Sequence, residues 1–180
     1  MKIAIRLSLA VLMMAGLAST AKAQVTLTGN NAGAELVTAL TITNTTPLNF
    51  GVIAISATAG AVTLSTAGVR TPTGVGVSTV ASGTPRTVAL FTMGGTSGDT
   101  YSFTLPASIT VTKVTGTETM IIDNLVVKVD AASEVPYASI GICTLTGGAS
   151  VILVGGKLNI NASQELGVYA GTYDVTVDYL

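Results

Sequence analysis

The sequence predicts an all-β fold, an antiparallel sandwich, and three features of its 180 residues predict it. Thr and Val are abundant, and Gly punctuates the chain at short intervals. Apolar residues recur at every second position or in short runs, and almost no stretch carries the 3.6-residue period of a helix. β-Branched side chains are stiff at χ1 and sit well on a pleated surface, so this composition favours strands.

In chain order, the first segment is a targeting sequence rather than structure. Lys2 and Arg6 give a positive start, residues 7–18 are apolar, and Ala21-Lys22-Ala23 is a small-x-small cleavage site, so residues 1–23 are expected to be a secretory signal peptide removed before Gln24. About twelve apolar residues at 1.5 Å each span only about 18 Å, short of the ~30 Å hydrocarbon core that a membrane anchor must cross. Residues 24–34, rich in Gly, Asn and Ala with Val25 and Leu27 alternating, read as an extension preceding a single packed domain over residues 35–180.

Strands are expected at residues 35–43, 48–55, 61–66, 86–93, 100–105, 120–129, 140–145, 151–160 and 168–179. Between them stand turn signals: Thr71-Pro72, Thr84-Pro85, residues 94–99 (Gly-Gly-Thr-Ser-Gly-Asp), Gly147-Gly148 and Gly155-Gly156. Many short strands separated by such turns predict a sandwich of immunoglobulin-like type. The last strand is the clearest. After Gly171 the odd positions Tyr173, Val175, Val177 and Tyr179 are apolar or aromatic and the even ones polar, so one face is core and the other solvent. Asp174 and Asp178 therefore belong to a solvated face rather than to a catalytic carboxylate pair.

Composition then excludes several functions. Once the leader is removed, the basic residues are Arg70, Arg86, Lys113, Lys128 and Lys157, scattered against nine acidic ones, which gives no basic patch for nucleic acid. Cys143 is the only cysteine, so no intramolecular disulfide forms; in its apolar run it reads as a buried inert thiol. There is no histidine, the acidic residues are thinly spread, and Gly155-Gly156-Lys157-Leu158 lacks the Ser or Thr and the spacing of a phosphate loop. No enzyme activity, cofactor or metal is expected.

Gly167, the fourteenth residue from the end, and the penultimate Tyr179, with the alternating strand between them, resemble the C-terminal signature of chaperone–usher pilins. Pro47-Leu48-Asn49-Phe50-Gly51 is similar to the LNFG-type second strand of spore coat protein U-like secreted pilus proteins and of a related bacterial domain family of unknown function. Residues 158–179, with Gln164, Gly167-Val168-Tyr169 and Gly171-Thr172-Tyr173, resemble the same families. Many pilins carry a disulfide between early strands, which a chain with one cysteine lacks; this favours the less characterised relatives.

The resemblance implies a pilin-like sandwich open to completion by a donor strand, in which a neighbour's N-terminal extension fills an apolar groove by β-strand addition. Val25 and Leu27 are then the candidate donor residues. The candidate acceptor and chaperone-contact strand is residues 168–179, with Gly167, Tyr173, Val175, Val177 and Tyr179. The implied role is a structural subunit of a bacterial surface appendage or coat. Its partners would be copies of itself or related subunits, a periplasmic chaperone and an outer-membrane usher. It would be exported, passing through the periplasm to the cell surface or the extracellular space. The rival reading is a secreted monomeric β-sandwich that binds or adheres through its loops; against it stands the lack of a clear aromatic platform, since there is no Trp.

Overall fold

The computed structural model describes residues 31, 33–74, 77–80 and 83–180. The chain divides into two units, Met1–Glu35 and Leu36–Leu180, of which the second carries the fold. The leader and both Val25 and Leu27 lie outside the described residues.

The strands in chain order are β1 (Thr41–Thr46), β2 (Ile53–Ile55), β3 (Gly60–Leu64), β4 (Arg70–Thr73), β5 (Val77–Thr79), β6 (Ala89–Gly94) and β7 (Thr100–Thr104). They continue as β8 (Ile109–Lys113), β9 (Thr119–Val129), β10 (Val135–Pro136), β11 (Cys143–Thr144), β12 (Ala149–Ile160), β13 (Tyr169–Ala170) and β14 (Thr176–Tyr179). A single 3-10 turn, Tyr137–Ser139, is the only helical element among the described residues. Every ladder is antiparallel, so the expected all-β antiparallel sandwich is the fold observed.

One layer is a large sheet in the order β1-β6-β12-β9-β8-β13, with β3 and β4 joined to β12 and β10 to β9. Its spine is β12, long enough to pair β6 along its first half and β3 along its second while β9 covers its other edge. The opposite layer is interrupted: β11-β7-β14 forms one piece and β2-β5 another, with no ladder between the two among the described residues. Period-two burial places Ile152, Val154, Leu158 and Ile160 of β12 inward, with Phe91 and Met93 of β6. They meet Tyr101 and Phe103 of β7, and the Phe91 and Phe103 rings lie 5.8 Å apart. One continuous hydrophobic cluster results.

A chain of polar groups running from the surface into the core ties the layers together. Asp130, in a left-handed conformation (φ 48) just after β9, accepts from Val151 N at 2.7 Å and from Ser150 Oγ at 3.0 Å. Ser150 Oγ in turn accepts from the Tyr101 hydroxyl at 2.7 Å. Burial pushes the Tyr101 phenol up to about 12, against about 10 in an unfolded chain. The stability this gives is complete below pH ~10 and is lost as pH rises to ~12, because the unfolded phenol ionises first. Wild-type protein is expected to lose about 1.5–2 kcal/mol between pH 9.5 and 11.5 in urea unfolding. Tyr101→Phe should flatten most of that slope; an unchanged slope would show that Tyr101 is not its source.

Several strand boundaries differ from expectation for physical reasons. The strand expected at 48–55 begins only at Ile53, because Asn49 Oδ1 accepts from Gly51 N at 2.7 Å and folds Asn49–Gly51 into a side-chain-closed turn. Residues 35–40 are not in a strand, and 140–145 contributes only Cys143–Thr144. Residues 168–179 divide between the layers: Tyr169–Ala170 pairs with β8, and Thr176–Tyr179 pairs with β7. The strands β4, β5, β8 and β10 have no counterpart among those expected. Cys143 is buried and free, and burial raises its pKa, as an inert thiol requires.

Candidate functional site

The interruption in the second layer holds a half-open, largely apolar cavity. It measures about 450 Å³. The floor is the large sheet: Ile109 and Val111 of β8, Met120 and Ile122 of β9, and Leu158 and Ile160 of β12. Residues 48–55 form one wall and residues 164–173, the chain leading into β14, form the other. Among the described strands β2 has β5 as its sole partner and β14 has β7, so each offers one open edge.

The first wall is built by the Leu48-Asn49-Phe50-Gly51 segment. Asn49 exchanges backbone hydrogen bonds with Thr87, both at 2.8 Å, and Phe50 is buried in the core. Gly51 has φ 71, and a Cβ there would lie 2.9 Å from the Arg70 guanidinium and 3.0 Å from Thr84 O, so only glycine fits. Arg70 fastens the segment. Its Nη1 donates to Phe50 O at 2.8 Å and Val52 O at 2.9 Å, and its Nη2 donates to Val80 O at 2.6 Å.

The second wall is a strap laid along the edge of β8. Val114 N donates to Val168 O at 2.9 Å, Tyr169 pairs with Lys113, and the Lys113 ammonium forms an ion pair with Glu165. Tyr169 closes the strap on itself: its hydroxyl donates to Glu165 O and accepts from Gln164 Nε2, each at 2.8 Å. Gly167 stands where the Lys113 stem crosses the strap, 2.8 Å from where a Cβ would be.

Of the residues singled out from sequence, Gly167 and Tyr173 line the cavity. Val175, Val177 and Tyr179 alternate with exposed neighbours and pack half-buried on the core, as period two requires, but outside the cavity. Tyr179 has a further part: its hydroxyl donates to Thr38 O at 2.8 Å and accepts from Thr96 N at 3.3 Å, pinning the chain just before β1. The floor was missed. Its signal was present in Ile109-Thr110-Val111-Thr112, a short perfect alternation. The wall at 48–55 carries the LNFG motif, whose apolar residues predict a strand, and in the structure it forms a rim that enters β2 only at Ile53.

Chemically the cavity offers an aliphatic floor, with polar side chains such as Asn49, Thr84, Gln164 and Glu165 along its walls. Among the described residues no group of three or more His, Cys, Asp or Glu is placed to hold a metal. Tyr173 titrates above the ordinary tyrosine range because burial disfavours its phenolate. A family model described as Domain of unknown function (DUF4402) matches residues 40–179. No curated protein and no solved structure matches the chain.

Proposed function

The chain belongs to the DUF4402 domain family, and we propose that it is a structural subunit of a bacterial surface appendage or coat, assembled by strand addition between neighbouring copies. The observation that carries this is the interrupted layer: an aliphatic-floored cavity of about 450 Å³ between walls that lead into two strands with open edges. Protein interiors pack densely and leave few voids larger than a water molecule, so a gap of this size calls for an occupant. An extended peptide supplies both things the site lacks, main-chain partners for open edges and side chains for the floor. The donor is residues 24–34 of a neighbouring copy, with Val25 and Leu27 two positions apart and so on one face of the inserted strand. Until that strand arrives, the open edges invite uncontrolled pairing, which is the physical reason for a periplasmic chaperone and an outer-membrane usher on the export route.

Removing residues 24–34 behind an intact signal should abolish polymers while monomeric or chaperone-bound protein remains. Val25→Asp with Leu27→Asp should do the same, because two carboxylates would enter an apolar groove without partners. Electron microscopy and size-exclusion chromatography of the exported protein read the outcome, and normal filaments from either variant would end the proposal. A secreted binding module is the second reading, favoured by the fact that about 450 Å³ also lies within the range of small-ligand pockets. A wild-type protein that stays monomeric would turn the choice to it.

A further inference from the structure

Five tyrosines are present, and four of them have bonded hydroxyls. Tyr101 donates to Ser150, Tyr137 accepts from Leu105 N at 2.7 Å, Tyr169 is bonded within the strap, and Tyr179 donates to Thr38 O. The Tyr173 hydroxyl is the exception: it is buried and has no partner. Its ring cannot swing clear at low cost, because it packs on the core and meets Phe91 edge-on, with centroids 6.4 Å apart and planes at 80°. A buried hydroxyl without a partner is destabilising, and in native structures such a group calls for an explanation. Tyr173 is a lining residue of the cavity, and its hydroxyl, covered there by its neighbours, is reached by an occupant that moves them aside.

We infer that the Tyr173 hydroxyl donates a hydrogen bond to a main-chain carbonyl of the inserted strand and so selects a polypeptide over a purely apolar filler. This rests on the strand-addition reading. Val25 and Leu27, turned to the aliphatic floor, carry no acceptor, so beside these two residues the acceptor is a backbone carbonyl of the donor. Tyr173 thereby becomes a specificity-determining residue of the groove.

The test uses the full mature chain carrying Val25→Asp and Leu27→Asp as an acceptor that does not donate, with and without Tyr173→Phe, and a synthetic peptide of residues 24–34 as ligand. In calorimetric titration the Phe variant should bind the peptide roughly 3- to 10-fold more weakly. Without peptide its melting temperature should equal or exceed that of the Tyr173 acceptor, since an orphan donor has been removed. In the Tyr173 acceptor, carbon-13 NMR of ring-labelled tyrosine should show the Tyr173 Cζ resonance moving on peptide addition, a readout that does not require the Phe variant to fold. Equal affinities, or an unmoved Tyr173 resonance in a peptide-saturated acceptor, would overturn the inference while leaving strand addition standing. No binding to either acceptor would overturn strand addition, and the inference with it.

Discussion

Gly155→Ala should cost about 3 kcal/mol or more, at the upper end of what overpacking a core does and a large share of the roughly 5–15 kcal/mol by which a domain is stable. The reason lies at the midpoint of β12, where its partner changes from β6 to β3. A Cβ on Gly155 would sit 2.1 Å from Leu64 O and 3.1 Å from a methyl of Val126. The first of these is backbone, in a fully buried residue, so no rotamer change relieves it. On the other edge β9 shifts register between Gly155 and Lys157, with Asn124 at φ 45 nearby, so the handover is already a bulge with no slack. Urea unfolding should report the loss. Gly141→Ala, at a glycine with nothing within 4 Å of its Cβ position, should stay within about 0.5 kcal/mol of wild type. Equal stability of the two variants would mean that the strands do not meet at Gly155 as described.

What was legible in the sequence was whatever depends on near neighbours. The long strands β9 and β12 stood out because 11 and 12 residues carry enough aliphatic and β-branched side chains to be read as strands without their partners. Burial along 173–179 follows its alternation although only Thr176–Tyr179 is laddered, because side-chain period is set by the extended backbone and ladder length by what lies beside it. At Gly171 a Cβ would fall 2.3 Å from Thr110 O; the chain there grazes β8 before crossing to the other layer, and nothing local announces that crossing. The LNFG segment was misassigned because its apolar residues suit a strand, while the deciding interactions, the Asn49 side-chain turn and the Arg70 clamp, depend on hydrogen bonds that residue pattern does not encode. The cavity is a long-range object. Its floor comes from three strands and its walls from segments more than one hundred residues apart, so it exists only once the sheets have packed.

Arg70→Met should loosen the wall of the cavity before it unfolds the body. The Arg70 guanidinium is the common partner of three carbonyls, Phe50 O and Val52 O at the LNFG turn and Val80 O just after β5, and so ties two distant stretches of chain together. Hydrogen bonds to a charged donor are worth about 1.5–3 kcal/mol each when buried. These are part-buried and water compensates, so about 2–4 kcal/mol is expected for the set. Arg70→Lys should recover only a fraction: an ammonium keeps the charge but lacks the planar fork that holds carbonyls on opposite sides. The damage should be local. Hydrogen exchange should quicken first at the β2 and β5 amides and at Val80 N, which donates to Val52 O at 3.1 Å, while β9 and β12 amides stay protected. If the cavity is the acceptor for a neighbour's extension, the residue 24–34 peptide should bind the Met variant at least tenfold more weakly, because a wall that must be ordered on binding subtracts its ordering cost from affinity. Wild-type affinity together with unchanged exchange at β2 would show that Arg70 does not hold the wall, and that the LNFG turn stands without it.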